Sequence, residues 1–158
     1  MNAIPARTLR TAARPGAGAE SGQALVELSV ALSLLVLILL GAVEFGQIAY
    51  SSIEVANAAK AGVQYGAQNG YTAADSIGIQ NAAQGSAPNL SGMTVTSSVA
   101  CVCSDGSAST CQNTDCPNSH IEETVTVATQ YALSPIIHIP QFAGSIALHG
   151  QAIQRCGQ

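Results

Sequence analysis

Hydrophobic residues are concentrated in one run, from Ala24 to Val43, in which Glu27 is the only charged residue. In a helix, about 20 residues cover about 30 Å, the thickness of the hydrocarbon core of a bilayer. A charge near the centre of such a segment costs roughly 2.5–3.5 kcal/mol, and charged residues there usually have a function. The run predicts a transmembrane helix, and Glu27 is a candidate functional residue.

The helical pattern continues beyond this run, because apolar and small residues recur at steps of three and four from Phe45 to Val63. A second line of small residues is spaced four apart: Ala58, Gly62, Gly66 and Gly70. It is explained either by close packing of another backbone or by the end of the helix near Gly66–Gly70. We expect one helix over residues 24–68.

After residue 70 the pattern changes to period two. The segments "MTVTSSVAC", "HIEETVTVATQY" and "GSIALHGQAIQR" predict strands. The stretch "SSVACVCSDGSASTCQNTDCPNSH" predicts a loop, and "LSPIIHIPQF", with two prolines, predicts an irregular connection. The expected fold class is α+β: a long N-terminal transmembrane helix extends outward and packs on a small, mainly antiparallel β-sheet.

Charged residues make up only 9% of the chain and are unevenly placed. Three of the five basic residues (Arg7, Arg10 and Arg14) precede the apolar run, which predicts a cytoplasmic N-terminus and a periplasmic C-terminal part. After Gly22 only Lys60 and Arg155 are basic, so the chain has no basic patch there and nucleic-acid binding is excluded.

Three interpretations of residues 1–47 compete. The segment is a removable secretory signal, an uncut single-span anchor, or a leader that is cut before the apolar run. In the third case, cleavage between Gly22 and Gln23 makes Gln23 the first residue and Glu27 the fifth. The Glu27 carboxylate then lies near the positive end of the helix dipole and can pair with the terminal amine of a neighbouring subunit.

Gly22 and Glu27, behind a short basic leader, resemble the prepilin peptidase site of type IV pilins and pseudopilins. More narrowly, the N-terminal part resembles the TadE-like proteins of the Tad (tight adherence, Flp pilus) system, whose pattern has three elements. The matching residues are Gly22, Val26 and Glu27; Gly41, Glu44, Phe45 and Gly46; and Ala58, Ala59, Gly62 and Gly66. Where the family usually has a proline after the first glutamate, this chain has Ser33, which predicts a straighter helix.

The resemblance implies a non-enzymatic, pseudopilin or minor-pilin-like component of Tad (Flp) pilus assembly, processed by a prepilin peptidase after Gly22. The implied partners are that peptidase, other Tad pilins and pseudopilins, the inner-membrane assembly platform and membrane lipid. No cofactor and no small-molecule substrate is expected. The expected parts are a leader (1–22), a transmembrane helix (23–43), a periplasmic helix extension (44–70) and a Cys-containing β-rich periplasmic domain (71–158). The protein enters the filament or stays at its base.

Five cysteines are candidates for disulfides: Cys101, Cys103, Cys111, Cys116 and Cys156. In the periplasm disulfides persist, and the four clustered cysteines allow three pairings. A zinc site is the alternative, but the spacing C-x-C and C-x₄-C fits structural zinc poorly. Cys156 is free, pairs between chains, or ties the C-terminal strand to the loop.

No catalytic motif was found, and the three histidines (His120, His138 and His149) are scattered along the chain. We therefore predict no catalytic residue and no metal ligand. The alternative to the pseudopilin-like function is an uncleaved, membrane-anchored periplasmic binding module whose disulfide-rich loop holds a ligand.

Overall fold

The computed structural model describes residues 19–112, 114–136 and 144–156, with side chains from residue 22 onward. Most of the predicted leader, His138 and most of the connection "LSPIIHIPQF" lie outside these ranges. The elements are α1 (Ala19–Gly66), α2 (Gly70–Ala74), α3 (Ser76–Gly85), β1 (Thr94–Cys103), β2 (Ala108–Ser109), β3 (Ile121–Leu133) and β4 (Ile146–Arg155).

The chain divides into two compact units, Met1–Ala42 and Val43–Gln158. The described part of the first unit is the N-terminal portion of α1. The second unit contains the rest of α1 and every other described element. The prediction of one long helix is confirmed, with bounds Ala19–Gly66 in place of 24–68. The boundaries assigned to the leader, the span and the periplasmic parts remain predictions.

The second unit contains a four-stranded antiparallel sheet in the order β2-β1-β3-β4. The three predicted strands are confirmed. The predicted loop is wrong in part, because its residues 97–103 belong to β1 and its residues 108 and 109 form β2, which pairs with Cys101 and Val102. Cross-strand pairing lengthened β1 there, although serine and cysteine in this stretch carry no strong local preference for a strand.

Two short helices were not predicted, since residues 71–158 were expected to be β-rich. Asn69 begins α2, where its Oδ1 accepts hydrogen bonds from the backbone N–H groups of Tyr71 and Thr72 at 3.0 Å. Asp75 begins α3 and accepts from the backbone N–H of Gly78 at 2.9 Å. Asn and Asp at these positions are strong helix-start signals, but both helices are too short for an apolar period.

The core of the second unit lies between the sheet and the helices. Along β3, Val125, Val127 and Thr129 point to the buried side, as the alternation predicts. In α1, Val63 packs against the two valines, Gly62 and Gly66 lie close to them, and Val55 accepts a hydrogen bond from Thr129. This packing confirms the α+β class.

Candidate functional site

The apolar run is fully exposed within the described part of the chain. Every side chain from Gly22 to Val43 is exposed, and Leu37, for example, keeps 69% of its surface. This part of α1 is long and apolar enough to cross a membrane, and none of its most apolar window is buried within the protein. An exposed apolar helix of this length suggests a membrane anchor.

The hydroxyl groups within the run are satisfied inside the helix. Ser29 Oγ donates to the carbonyl oxygen of Val26 at 2.7 Å, and Ser33 Oγ donates to that of Ser29 at 2.8 Å. Such bonds let serine lie in an apolar environment without an unpaired polar group. Ser33 stands at the position where the TadE-like pattern usually has proline, and α1 continues through it without a break.

Gly22, Gln23, Val26 and Glu27 lie on the exposed surface of α1. A Cβ atom added at Gly22 would meet nothing within 4 Å, and the same holds for Gly41 and Gly46. Packing within this chain therefore does not require glycine at these three positions. The roles predicted for Gly22, Gln23 and Glu27 stay predictions, since cleavage and pairing involve other molecules.

The third motif element has a clear structural role. Ala58 and Ala59 are fully buried. A Cβ atom at Gly62 would lie 3.1 Å from Val127 Cγ1, and one at Gly66 would lie 3.1 Å from Val125 Cγ1. The line of small residues thus lets α1 approach the sheet closely as far as Gly66, where α1 ends, and its last member, Gly70, is the first residue of α2. Both explanations offered by the sequence contribute.

A second close approach to α1 occurs at Gly150 on β4, the strand next to β3. A Cβ atom at Gly150 would lie 2.6 Å from Thr129 Oγ1 and 2.7 Å from the carbonyl oxygen of Val55. The buried hydroxyl of Thr129 donates to that carbonyl at 2.8 Å, which joins α1 to β3. Sequence reasoning missed this contact; its only local sign was glycine in the middle of a strand.

The second motif element includes the first charged residue after the run. The Glu44 carboxylate accepts from the backbone N–H of Ile136, which lies 3.2 Å from each carboxylate oxygen. Ile136 follows the end of β3, so this contact joins the chain after β3 to α1. Phe45, next to Glu44, is 77% exposed.

The Cys-rich loop is tied twice to β1, by disulfides Cys101–Cys111 and Cys103–Cys116. Disulfide bonding of the loop is confirmed, and the pairing is now assigned. The four clustered sulfur atoms are paired in these bonds, whereas a zinc site would need them as thiolates. Across the described residues, no group of three or more His, Cys, Asp or Glu side chains is placed to hold a metal ion.

Asp115 organises the same loop. Its Oδ2 accepts from the backbone N–H of Thr110 at 2.6 Å, from Thr110 Oγ1 at 2.7 Å and from Ser109 Oγ at 3.2 Å. These bonds, led by the Thr110 hydroxyl, hold the pKa of Asp115 below its usual value. A carboxylate that accepts several hydrogen bonds is favoured in its charged form.

Cys156 is a free, partly buried thiol just after β4. Its backbone N–H donates to the carbonyl oxygen of Glu123 at 2.8 Å. Burial, and then the nearby Glu123 carboxylate, raise the pKa of the Cys156 thiol. The thiol is therefore protonated near neutral pH, which makes it a weak nucleophile.

Residues 22–64 match the family model described as TadE-like protein, over about a quarter of the chain. The match confirms the resemblance and includes every motif residue except Gly66. It suggests a minor-pilin-like component associated with the Tad pilus. No curated protein and no solved structure matches the chain.

Proposed function

We propose that this protein is a non-enzymatic, minor-pilin-like component of the Tad pilus that is processed between Gly22 and Gln23. One observation carries the proposal: the family match begins at Gly22 and continues through an apolar segment that the chain leaves wholly exposed. A soluble domain would bury such a segment, since apolar surface is stabilised by removal from water. The membrane at first, and the pilus or its base later, provide the apolar environment for this segment.

The glycines of the motif support processing at Gly22. Gly62 and Gly66 have neighbours that leave little room for a side chain, whereas Gly22 has none within 4 Å among the residues that the structure describes. A requirement for glycine at residue 22 therefore comes from another protein. A prepilin peptidase, which must reach the backbone of the bond that it cuts, supplies such a requirement.

Cleavage after Gly22 would give Glu27 a function. Its carboxylate is exposed on an apolar helix, one turn from the new terminal amine of Gln23. An unpaired charge in an apolar environment is costly, and an opposite charge reduces that cost. Pairing of Glu27 with the Gln23 amine of an adjacent subunit would therefore order subunits side by side.

The orientation follows from the basic residues before the run. The N-terminus lies in the cytoplasm, and the second unit, with its two disulfides, lies in the periplasm. The partners are the prepilin peptidase, other Tad pilins and pseudopilins, and the inner-membrane assembly platform. The contacts among the described side chains join the end of α1, the sheet and the Cys-rich loop into one packed unit. This arrangement supports a structural role for the protein.

The decisive experiment is the intact mass and N-terminal residue of the protein from native membranes. We expect a chain that begins at Gln23. A chain that begins at Met1 would favour the uncleaved, membrane-anchored binding module, and one that begins after residue 45 would indicate an ordinary secreted domain.

Two glycine variants sharpen the measurement. Gly22→Ala should block cleavage, because the added methyl group stands at the bond to be cut. Gly41→Ala is the matched control: the residue lies in the same helix, also has no neighbour within 4 Å, and should be processed normally. Efficient cleavage of Gly22→Ala at the same bond would refute processing by a glycine-dependent peptidase.

A further inference from the structure

Two exposed apolar side chains of the second unit lie beside the end of the apolar run. Phe45 is 77% exposed and Ile136 is 59% exposed. Phe45 is two residues after Val43, so it is about 3 Å further along the helix axis. Ile136 comes from a distant part of the sequence, and the Glu44 carboxylate holds its backbone N–H at 3.2 Å. This hydrogen bond brings the backbone of Ile136 next to residue 44, one residue before Phe45 in α1.

The depth of this position decides what the side chains meet. The hydrocarbon core is about 30 Å thick and the whole bilayer about 40–45 Å, which leaves a headgroup layer of about 5–8 Å on each side. If the span ends at Val43, Phe45 falls within that layer, and the backbone of Ile136 contacts the side chain of the residue before it. Aromatic and apolar side chains are favourable there.

We propose that Phe45 and Ile136 form a membrane-seating patch, in which Glu44 is the positioning residue and the occupant is the lipid surface. The inference rests on the membrane anchoring proposed above. The patch holds the second unit to the bilayer through two points that are distant in sequence. It also gives the acidic residue of the second motif element a role.

Charge does not drive this contact. No lysine or arginine occurs between Arg14 and Lys60 or between Lys60 and Arg155, so neither Phe45 nor Ile136 has such a neighbour in the sequence to attract anionic headgroups. The contact should therefore be the same on zwitterionic and anionic vesicles and should not change with salt. Strong salt dependence would overturn the apolar seating.

Single tryptophan variants test the patch, because the chain contains no tryptophan. The full-length protein is placed in phosphatidylcholine vesicles with or without bromine on the acyl chains, since bromine quenches only nearby tryptophans. Leu37→Trp, in the apolar run, is the reference for a side chain inside the bilayer. Ile153→Trp, 63% exposed on β4, is the reference for a side chain far from the patch.

We expect Phe45→Trp and Ile136→Trp to lose fluorescence in brominated vesicles, by amounts between those of the two references. Quenching of Leu37→Trp alone would overturn the patch and leave the membrane anchor intact. Absence of quenching at every position would overturn the anchor and the patch together. A blue-shifted but unquenched Ile136→Trp would indicate a protein partner, and would also refute the lipid contact.

The role of Glu44 is tested in the same system. Glu44→Ala combined with Ile136→Trp should lower quenching at residue 136, because the carboxylate no longer holds that backbone near the span. Glu44→Ala combined with Phe45→Trp should show unchanged quenching, since Phe45 belongs to the helix itself. Equal quenching at residue 136 with and without Glu44 would refute its positioning role.

Discussion

Replacing Gly150 by alanine should destabilise the second unit, because its hydrogen atoms face the backbone of α1. The new Cβ atom would lie 2.6 Å from Thr129 Oγ1 and 2.7 Å from the Val55 carbonyl oxygen. Carbon atoms in proteins do not approach oxygen so closely, and the oxygen of Val55 belongs to a helix backbone that cannot move alone. The strand and the helix must therefore separate.

Three effects set the magnitude. Overpacking of a core costs about 1–3 kcal/mol. Separation also lengthens the 2.8 Å hydrogen bond from Thr129 Oγ1 to Val55, and loss of such a bond costs about 1 kcal/mol. Alanine in a strand returns about 0.5–1 kcal/mol relative to glycine. The net loss is about 1–3.5 kcal/mol, which is substantial beside the 5–15 kcal/mol typical of a folded domain.

Urea unfolding of the full-length protein in detergent micelles measures this loss. Far-UV circular dichroism follows the sheet, while the apolar segment stays helical in the micelle. With a slope of about 2 kcal/mol per molar urea, the middle of the usual range, the midpoint of Gly150→Ala should fall by about 0.5–1.8 M.

Gly85→Ala is the matched control for this substitution. The residue lies at the end of α3, a Cβ atom there meets nothing within 4 Å, and the midpoint should stay the same or rise slightly. If Gly150→Ala and Gly85→Ala unfold at the same urea concentration, α1 does not rest on β4 in the way described.

Two further predictions concern carboxylates. Glu27→Ala should leave cleavage after Gly22 intact, measured as N-terminal sequence, but should reduce piliation, because the neighbouring amine loses its partner; normal piliation would refute the pairing. Because its pKa is lowered, the ionised Asp115 carboxylate should make its full contribution to stability at any pH above the ordinary carboxyl pKa. This contribution should disappear as the pH falls through the lower pKa that Asp115 has in the folded chain. When the pH is lowered from 7 to about 3, the Tm of Asp115→Asn should therefore fall by less than the Tm of the parent chain. Identical decreases would contradict the role of Asp115.

The glycines of the TadE-like pattern separate into two groups by their surroundings. Gly22, Gly41 and Gly46 face open space, so any constraint on them comes from outside the chain. Gly62 and Gly66 face the sheet and α3, so their constraint comes from inside. One sequence motif thus combines a surface for other molecules with a packing surface for its own domain.

Local patterns in the sequence determined much of this protein. The apolar run, the period of three to four after it and the alternation in β3 predicted the long helix and the strands, because each signal depends on neighbouring residues. Clustered cysteines likewise indicated disulfides. Short helices escaped this reasoning, since Asn69 and Asp75 start helices too brief to show a period.

Only the tertiary structure decided the contacts between distant residues. The pairing Cys101–Cys111 and Cys103–Cys116 depends on how the loop folds over β1, and sequence spacing allows other choices. The contact of Glu44 with Ile136 joins residues that no local pattern connects. The Glu44–Ile136 contact depends on how β3 packs against α1, and that packing comes from burial of apolar surface and close approach at small residues rather than from the preferences of any one segment.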